Sequence, residues 1–450
     1  MIIYIKHIIY LLYLLIFLTD TTLHAQTPKK LSLEDCLNLA FDQNSGFNTI
    51  KNLELIREQN RKIIQTGLFP EISVSSNISQ FVENRTVVFR DDILPISQVN
   101  GAGTYGLSSA INSNFNLMNF GKTIKALKTQ RYADQVNRWK SVEEKNTIII
   151  MLCKSYFDCV ISQELSFVMK EKVKSSELVL DISKLKLEIG ELDSLEYYQA
   201  LINYEQDKNS NLMIDFLFKE NLDKLKVLLG IKNTDSFYLD TLILSKNRTD
   251  KLPLFYSDST IRIRSIVNDL KRVKQERNIN FFDLIPNMSA FAGYGYSNQT
   301  MQNGIVAQNR ALGYSYGLNV SYNFGQVKNT IHKRKILQLE TDNLNFNLND
   351  QQMISQNRFD LLSLKLNQLN KKNISNDALL DLSAKSLRKV LKSYEMGTVT
   401  LTDVRLSQNQ YLNTKIENKR TQSDYFICYI ELLGLSNSLQ DVIISNLKQR

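Results

Sequence analysis

The chain has 450 residues, with 55 Lys and Arg against 46 Asp and Glu, and a formal net charge of +9 at pH 7. That charge is spread along the sequence with no basic cluster interleaved with aromatics, which argues against a nucleic-acid partner. His332 is the one histidine beyond the N-terminal segment, and Cys36, Cys153, Cys159 and Cys428 spell no metal or redox motif, so zinc chemistry, histidine catalysis and a resident cofactor are not expected.

At the N-terminus, Lys6 and His7 precede an apolar run over residues 8–18, and Leu23-His24-Ala25 is a plausible cleavage site. Residues 1–25 read as a secretory signal peptide. The alternative is a transmembrane anchor, for which the run is short, at about 11 residues against the ~20 needed. A first helix is expected over 33–65, followed by a β-hairpin over 70–119. Strand 70–80 sets Ile72, Val74 and Ile78 against Glu71, Ser73, Ser75, Asn77 and Ser79. Strand 104–119 sets Tyr105, Leu107, Ile111, Phe115 and Leu117 against Gly106, Ser108, Asn112, Asn114 and Asn116. The intervening segment, 81–103, reads as a polar loop.

From 122 to 229 the only glycine is Gly190, and the stretch has no proline. Glycine and proline are what stop helices. The stretch therefore reads as one helical hairpin, with a long helix over 122–189, a turn at Gly190 and a helix over 191–229. Residues 231–257 form a linker of mixed short-strand and loop character. Then the order repeats. A helix is expected over 260–278 and a second β-hairpin over 286–324, its strands joined by a loop over 299–310. Met288, Ala290, Ala292, Tyr294 and Tyr296 oppose small residues, with Phe291 the one exception. Leu312, Tyr314, Tyr316, Leu318, Val320, Tyr322 and Phe324 oppose Gly313, Ser315, Gly317, Asn319, Ser321 and Asn323. A second stretch, 326–433, has Gly397 as its only glycine and again no proline. A long helix over 326–395 and another over 399–433 follow from it, with a tail over 437–450. Asn119-Phe120-Gly121-Lys122 and Asn323-Phe324-Gly325-Gln326 mark matching strand-to-helix turns at Gly121 and Gly325. The two halves, 26–230 and 258–436, are offset by about 204 residues, as a tandem duplication leaves them.

Three details favour membrane strands over a soluble sandwich. The strands are long against a soluble mode near 5–6 residues. Their polar face is small rather than charged. Tyrosine is frequent where an aromatic girdle would sit. Four strands cannot close a barrel, and an open edge is not viable in lipid, so several copies must share one barrel. Two copies give eight strands and three give twelve. Leucines at three-, four- and seven-residue steps, such as Leu362, Leu366 and Leu369, form seams that pack helix on helix.

These features resemble the TolC-like outer-membrane efflux proteins. The resemblance rests on the opening segment from Leu31-Ser32-Leu33-Glu34-Asp35 to Ala40, the proline-led strands at Pro70 and Pro286, the turns at Gly121 and Gly325, and the two hairpin tips. It implies a mostly helical fold with membrane β-structure: a homotrimer in outer-membrane lipid, four strands per chain in a twelve-stranded barrel, and a periplasmic α-barrel of tandem helical hairpins. It also implies a periplasmic adaptor and an inner-membrane transporter as partners, with passive conduction through the channel. By position, Glu196 and Tyr394 match latch residues of a periplasmic gate, and Asp403 matches a constriction carboxylate. Leu406 stands where a second aspartate is usual and Val399 where an arginine is usual, which leaves Arg405 as a nearby substitute. Glu196 and Asp403 also read as ordinary solvated helix carboxylates. A periplasmic coiled-coil scaffold without a pore accounts equally for the hairpins, but not for four long strands with uncharged inner faces.

Overall fold

A computed structural model describes residues 29–87, 97–231, 237–240, 253–301 and 307–440. The expected signal peptide, most of the linker, the last ten residues of the tail and the two loop tips lie outside these described residues.

The elements are β1 (Lys29–Leu31), α1 (Leu33–Gln43), α2 (Ser45–Thr66), β2 (Glu71–Val87), β3 (Ser97–Asn116), α3 (Leu117–Glu188), α4 (Ser194–Leu229), β4 (Phe237–Leu239), α5 (Ile261–Ile279), β5 (Asn287–Met301), β6 (Gln308–Ser321), α6 (Phe324–Glu395) and α7 (Leu401–Leu435). The order helix, two strands, long helix, shorter helix occurs twice. α3 and α6 each have 72 residues, roughly 110 Å at 1.5 Å per residue.

The strands form one antiparallel sheet in the order β2-β3-β5-β6. Its register turns the alternation of each strand into faces of the whole sheet. Val74, Ile111, Tyr294 and Tyr314 stand opposite one another in a row across all four strands. The adjacent row is Ser73, Asn112, Gly293 and Ser315. The apolar face is uncovered by the chain: Val74 is 77% exposed, Ile78 82% and Tyr314 79%. Phe291, the exception in β5, lies on the small-residue face and packs on the strand beside it. A Cβ added to Gly317 would sit 2.8 Å from the Phe291 ring.

Three of the four strands are longer than their patterning predicts, and β6 keeps its expected length but is shifted by three residues toward the hairpin tip. β2 runs to Val87 and β3 starts at Ser97, so both ends of the expected 81–103 loop belong to the hairpin strands, through an irregularity between Glu83 and Arg85. Likewise β5 extends to Met301 and β6 begins at Gln308. Phe81, Val82 and Thr86 continue the ladder because hairpin pairing needs no strict alternation where neither face is buried.

The expected 33–65 helix is two helices. Asn44 ends α1 and caps α2, its Oδ1 accepting from the Gly46 amide at 2.7 Å and its Nδ2 donating to the Leu228 carbonyl at 2.6 Å. This break turns α1 across the middle of α3 and the C-terminal ends of α4 and α7, where the main core forms. Leu37, Phe47, Leu152, Phe157, Leu225, Leu229 and Leu433 are buried together there. β1 pairs in parallel with β4, bringing Leu31, Phe237 and Leu239 into the same core. Three thiols, Cys36, Cys153 and Cys159, are also buried in it, and burial pushes each up to about 12. Cys428 faces a separate cluster with Leu366, Leu369 and Leu432, apart from Cys36. All four cysteines are free.

Gly230 closes α4 at φ 74°, and a Cβ there would lie 2.6 Å from the Gln43 carbonyl oxygen. Gly230→Ala is expected to lower the melting temperature. Backbone strain alone costs about 1–3 kcal/mol, and the contact is with main chain, which cannot rotate away. A melt unchanged from the parent protein would show that α4 does not end in this left-handed turn against α1.

Candidate gate at the hairpin tips

Both hairpins end in the same way. At the first tip Gly190 has φ 77°, its amide donates to the Leu187 carbonyl and the Glu191 amide donates to the Lys186 carbonyl at 2.9 Å. At the second, Gly397 has φ 75°, its amide donates to the Tyr394 carbonyl and the Thr398 amide donates to the Ser393 carbonyl at 2.9 Å. These are helix stops that need a left-handed residue. No atom would meet a Cβ at Gly190 within 4 Å, so glycine is required there for its φ rather than for space.

The tips are joined within one chain. Tyr394, only 3% exposed, shares a hydrogen bond with Ser183 of α3 at 2.8 Å. Lys186 donates to the Tyr394 carbonyl at 3.0 Å and sits 5.0 Å from the ring centroid. Val179, Ala200, Leu401 and Val404 complete this small core, with Val399 packed against it.

Two turns further in, Arg405 of α7 makes two hydrogen bonds to Asp207 of α4, through Nη1 to Oδ2 and through Nη2 to Oδ1 at 2.8 Å. Ser176 of α3 donates to Asp207 Oδ2 at 2.5 Å, and Lys172 Nζ lies 3.1 Å from Oδ1. Lys172 also donates to Asn409 of α7 at 2.9 Å. Burial opposes the charge on Asp207, but the hydrogen bonds from Arg405 and Ser176 and the Lys172 ammonium outweigh it and hold the carboxyl below its usual range. Burial, together with the nearby Arg405 charge, lowers Lys172 despite its bond to Asp207. One buried carboxylate thus ties three helices from both halves of the chain.

The other expected site residues lie elsewhere. Asp403 is exposed at the start of α7, where it forms a reciprocal capping box with Thr400: its Oδ2 accepts from the Thr400 amide at 2.9 Å and hydroxyl at 2.7 Å. Those bonds hold its carboxyl below the usual range. Glu196 is exposed in the first turn of α4, where a carboxylate complements the helix dipole. Leu406 is exposed. Gly121 is not a strand-to-helix turn: α3 begins at Leu117, where Asn116 Oδ1 accepts from the Met118 amide at 3.1 Å, and Gly121 falls in the second turn. Its lack of a side chain admits Phe282, whose ring would lie 3.0 Å from a Cβ. Gly325 is the second residue of α6, just after the junction. Lys172, Ser176 and Asp207 were not expected from sequence, since no local spacing marks residues that meet only across helices. Among the described residues no group of His, Cys, Asp or Glu is placed to hold a metal ion, and no helix is long and apolar enough to cross a membrane. His332 is an exposed residue of α6.

No protein-family profile and no curated protein matches the sequence. Solved structures match over nearly the whole chain. The Campylobacter jejuni CmeC outer membrane channel aligns with a TM-score of 0.76 over 92% of this chain and 89% of its own, at 13% identity. The outer-membrane channel OprN aligns at 0.73 over 90% of each chain, with 11% identity. The open state of the Neisseria gonorrhoeae MtrE outer membrane channel aligns at 0.64 over 90% of this chain and 89% of its own, with 14% identity. The chain therefore has the fold of the TolC-like outer-membrane efflux channels.

Proposed function

We propose that the chain is the outer-membrane exit duct of an efflux or secretion system, conducting its cargo passively while an inner-membrane transporter supplies the energy and a periplasmic adaptor joins the two. The sheet carries this reading. Its apolar face is uncovered, its opposite face is Ser, Asn and Gly, and β2 and β6 are edges within the chain. Lipid forbids such edges, and a membrane barrel needs about eight strands or more. Three copies supply twelve, the number the resemblance implies.

The repeat supports the same assembly. α5 packs between α3 and α6. Its counterpart α2 packs on α3 and leaves Leu53, Ile56 and Ile63 exposed, while α6 leaves Leu339, Phe346 and Met353 exposed at heptad spacing. A neighbouring copy's α6 laid against α2 covers both stripes, as α3 covers α5 within the chain. In this reading the tips form the periplasmic gate. Tyr394 and Arg405 latch the hairpins, Glu196 stands beside them on an exposed face, and a threefold set of Asp403 carboxylates favours cations.

Electron microscopy of the detergent-purified mature protein tests the reading. The expected particle is threefold, with a helical tube roughly 100 Å long below a short barrel. A slender particle without a lumen, or solubility without detergent, would overturn it in favour of a periplasmic scaffold.

A further inference from the structure

Where α3 passes α5 and the segment after α7, the surface opens into a cleft of about 460 Å³. Five primary amides line it: Gln135 and Asn146 from α3, Asn268 from α5, and Asn437 and Gln440 beyond α7. Trp139, the chain's one tryptophan, and Arg138 share the wall, and no carboxylate lines it. The Arg264 guanidinium lies 5.1 Å from the Trp139 ring centroid and holds the indole in place. Asn146 is buried, and its Oδ1 accepts from Gln440 at 3.4 Å. Asn268 donates to the Arg264 carbonyl at 2.8 Å, which fixes the amide and leaves its oxygen as an acceptor.

A primary amide offers two donors and an acceptor, so five of them present both senses of hydrogen bond over a small area. Hydroxyl and acetamido groups need such a mixed array. An indole adds a flat apolar surface suited to the C–H face of a sugar ring. The absence of carboxylates disfavours a cationic ligand, and with Arg264 engaged on the indole, Arg138 is the one lining cation for an anion; the volume falls within the range of small-molecule sites, about 300–1,000 Å³. We propose that this cleft binds an uncharged glycan of a few rings carrying hydroxyl and acetamido groups. The proposal rests on the channel reading for compartment alone: with the sheet in the outer membrane, the cleft lies on the periplasmic helices, within reach of the cell-wall glycan. Bound there, the glycan would hold the duct against the wall.

Because Trp139 is the only tryptophan, its fluorescence reports this cleft directly. The test titrates the detergent-purified mature protein with the N-acetylglucosamine tetramer and, separately, sediments it with purified cell-wall sacculi. A saturable change in emission is expected, weakened about tenfold, or about 1.4 kcal/mol, in Asn268→Ala and Gln440→Ala. Co-sedimentation identifies the wall polymer as the source, whereas tetramer binding without it identifies a free oligosaccharide. Flat emission with tetramer and no co-sedimentation overturn the proposal, as do unchanged titrations in both variants. Microscopy of the same preparation separates that failure from failure of the channel reading, because a threefold tube that binds no glycan sinks only this proposal.

Discussion

In planar bilayers, Asp207→Ala is expected to raise the resting conductance of the reconstituted channel several-fold. Asp207 is buried and receives Arg405 from α7 together with Ser176 and Lys172 from α3. Removing its carboxylate leaves an ammonium and a guanidinium facing each other in a site with little water. Breaking a buried pair in this way costs about 3–5 kcal/mol, and the least costly relief is for α7 to leave α4 and carry Arg405 into solvent. That movement separates the second tip from the first, which in the proposed gate is the direction of opening. Arg405→Ala should have a smaller effect, because Lys172 and Ser176 still satisfy Asp207. Glu196→Ala, on an exposed face, should change conductance least. The same recordings read ion preference, where Asp403→Ala should reduce selectivity for cations. Acid should reproduce the Asp207 effect only at low pH. The folded carboxyl titrates below the ordinary value of 3.8, so its contribution is complete above that value and is lost as pH falls through the lower folded one. Resting conductance should therefore be flat through neutral pH. A normally folded Asp207→Ala channel with the parent's conductance would remove this network from the gate.

The parts that were legible in the sequence are those fixed by local chemistry. The scarcity of glycine and proline set the long helices, and Gly190 and Gly397 marked their turns because a helix stop of this type requires positive φ. Period-two alternation placed Val74, Ile111, Tyr294 and Tyr314 on a common face without knowledge of their pairing. Two of the misses were decided by a distant partner. Asn44 breaks the first helix, and one of its two anchoring bonds goes to Leu228 at the end of α4. Asp207 reads as one more helical carboxylate until α7 delivers Arg405. Asp403, which matched a constriction position, turned out to cap its own helix, and the Thr400-x-x-Asp403 spacing was visible beforehand. Gly121 matched its counterpart Gly325 by sequence, yet Asn116 starts α3 earlier than the pattern indicated.

Val74→Arg and Ser73→Arg, one residue apart, should have opposite outcomes. Val74 lies in the apolar row of the sheet and Ser73 in the small polar row, both exposed within a single chain. If the apolar face meets lipid, an arginine at Val74 costs about 2–4 kcal/mol near the bilayer midplane, and less toward the interfaces. A trimer bears that cost three times, so Val74→Arg should assemble poorly and be depleted from outer-membrane fractions. On the same reading, arginine at Ser73 faces the lumen, where water and the wall's hydroxyls and amides accept it. That variant should assemble as the parent does, with lower conductance and reduced cation preference. A soluble scaffold predicts otherwise, because replacing an exposed valine by arginine removes an apolar liability and should improve solubility. Trimer yield on semi-native gels, with outer-membrane fractionation, therefore decides between the readings through one pair of substitutions. A Val74→Arg protein that is abundant, soluble without detergent and unimpaired would mean that the exposed apolar face is covered by protein, and the duct would have no membrane barrel.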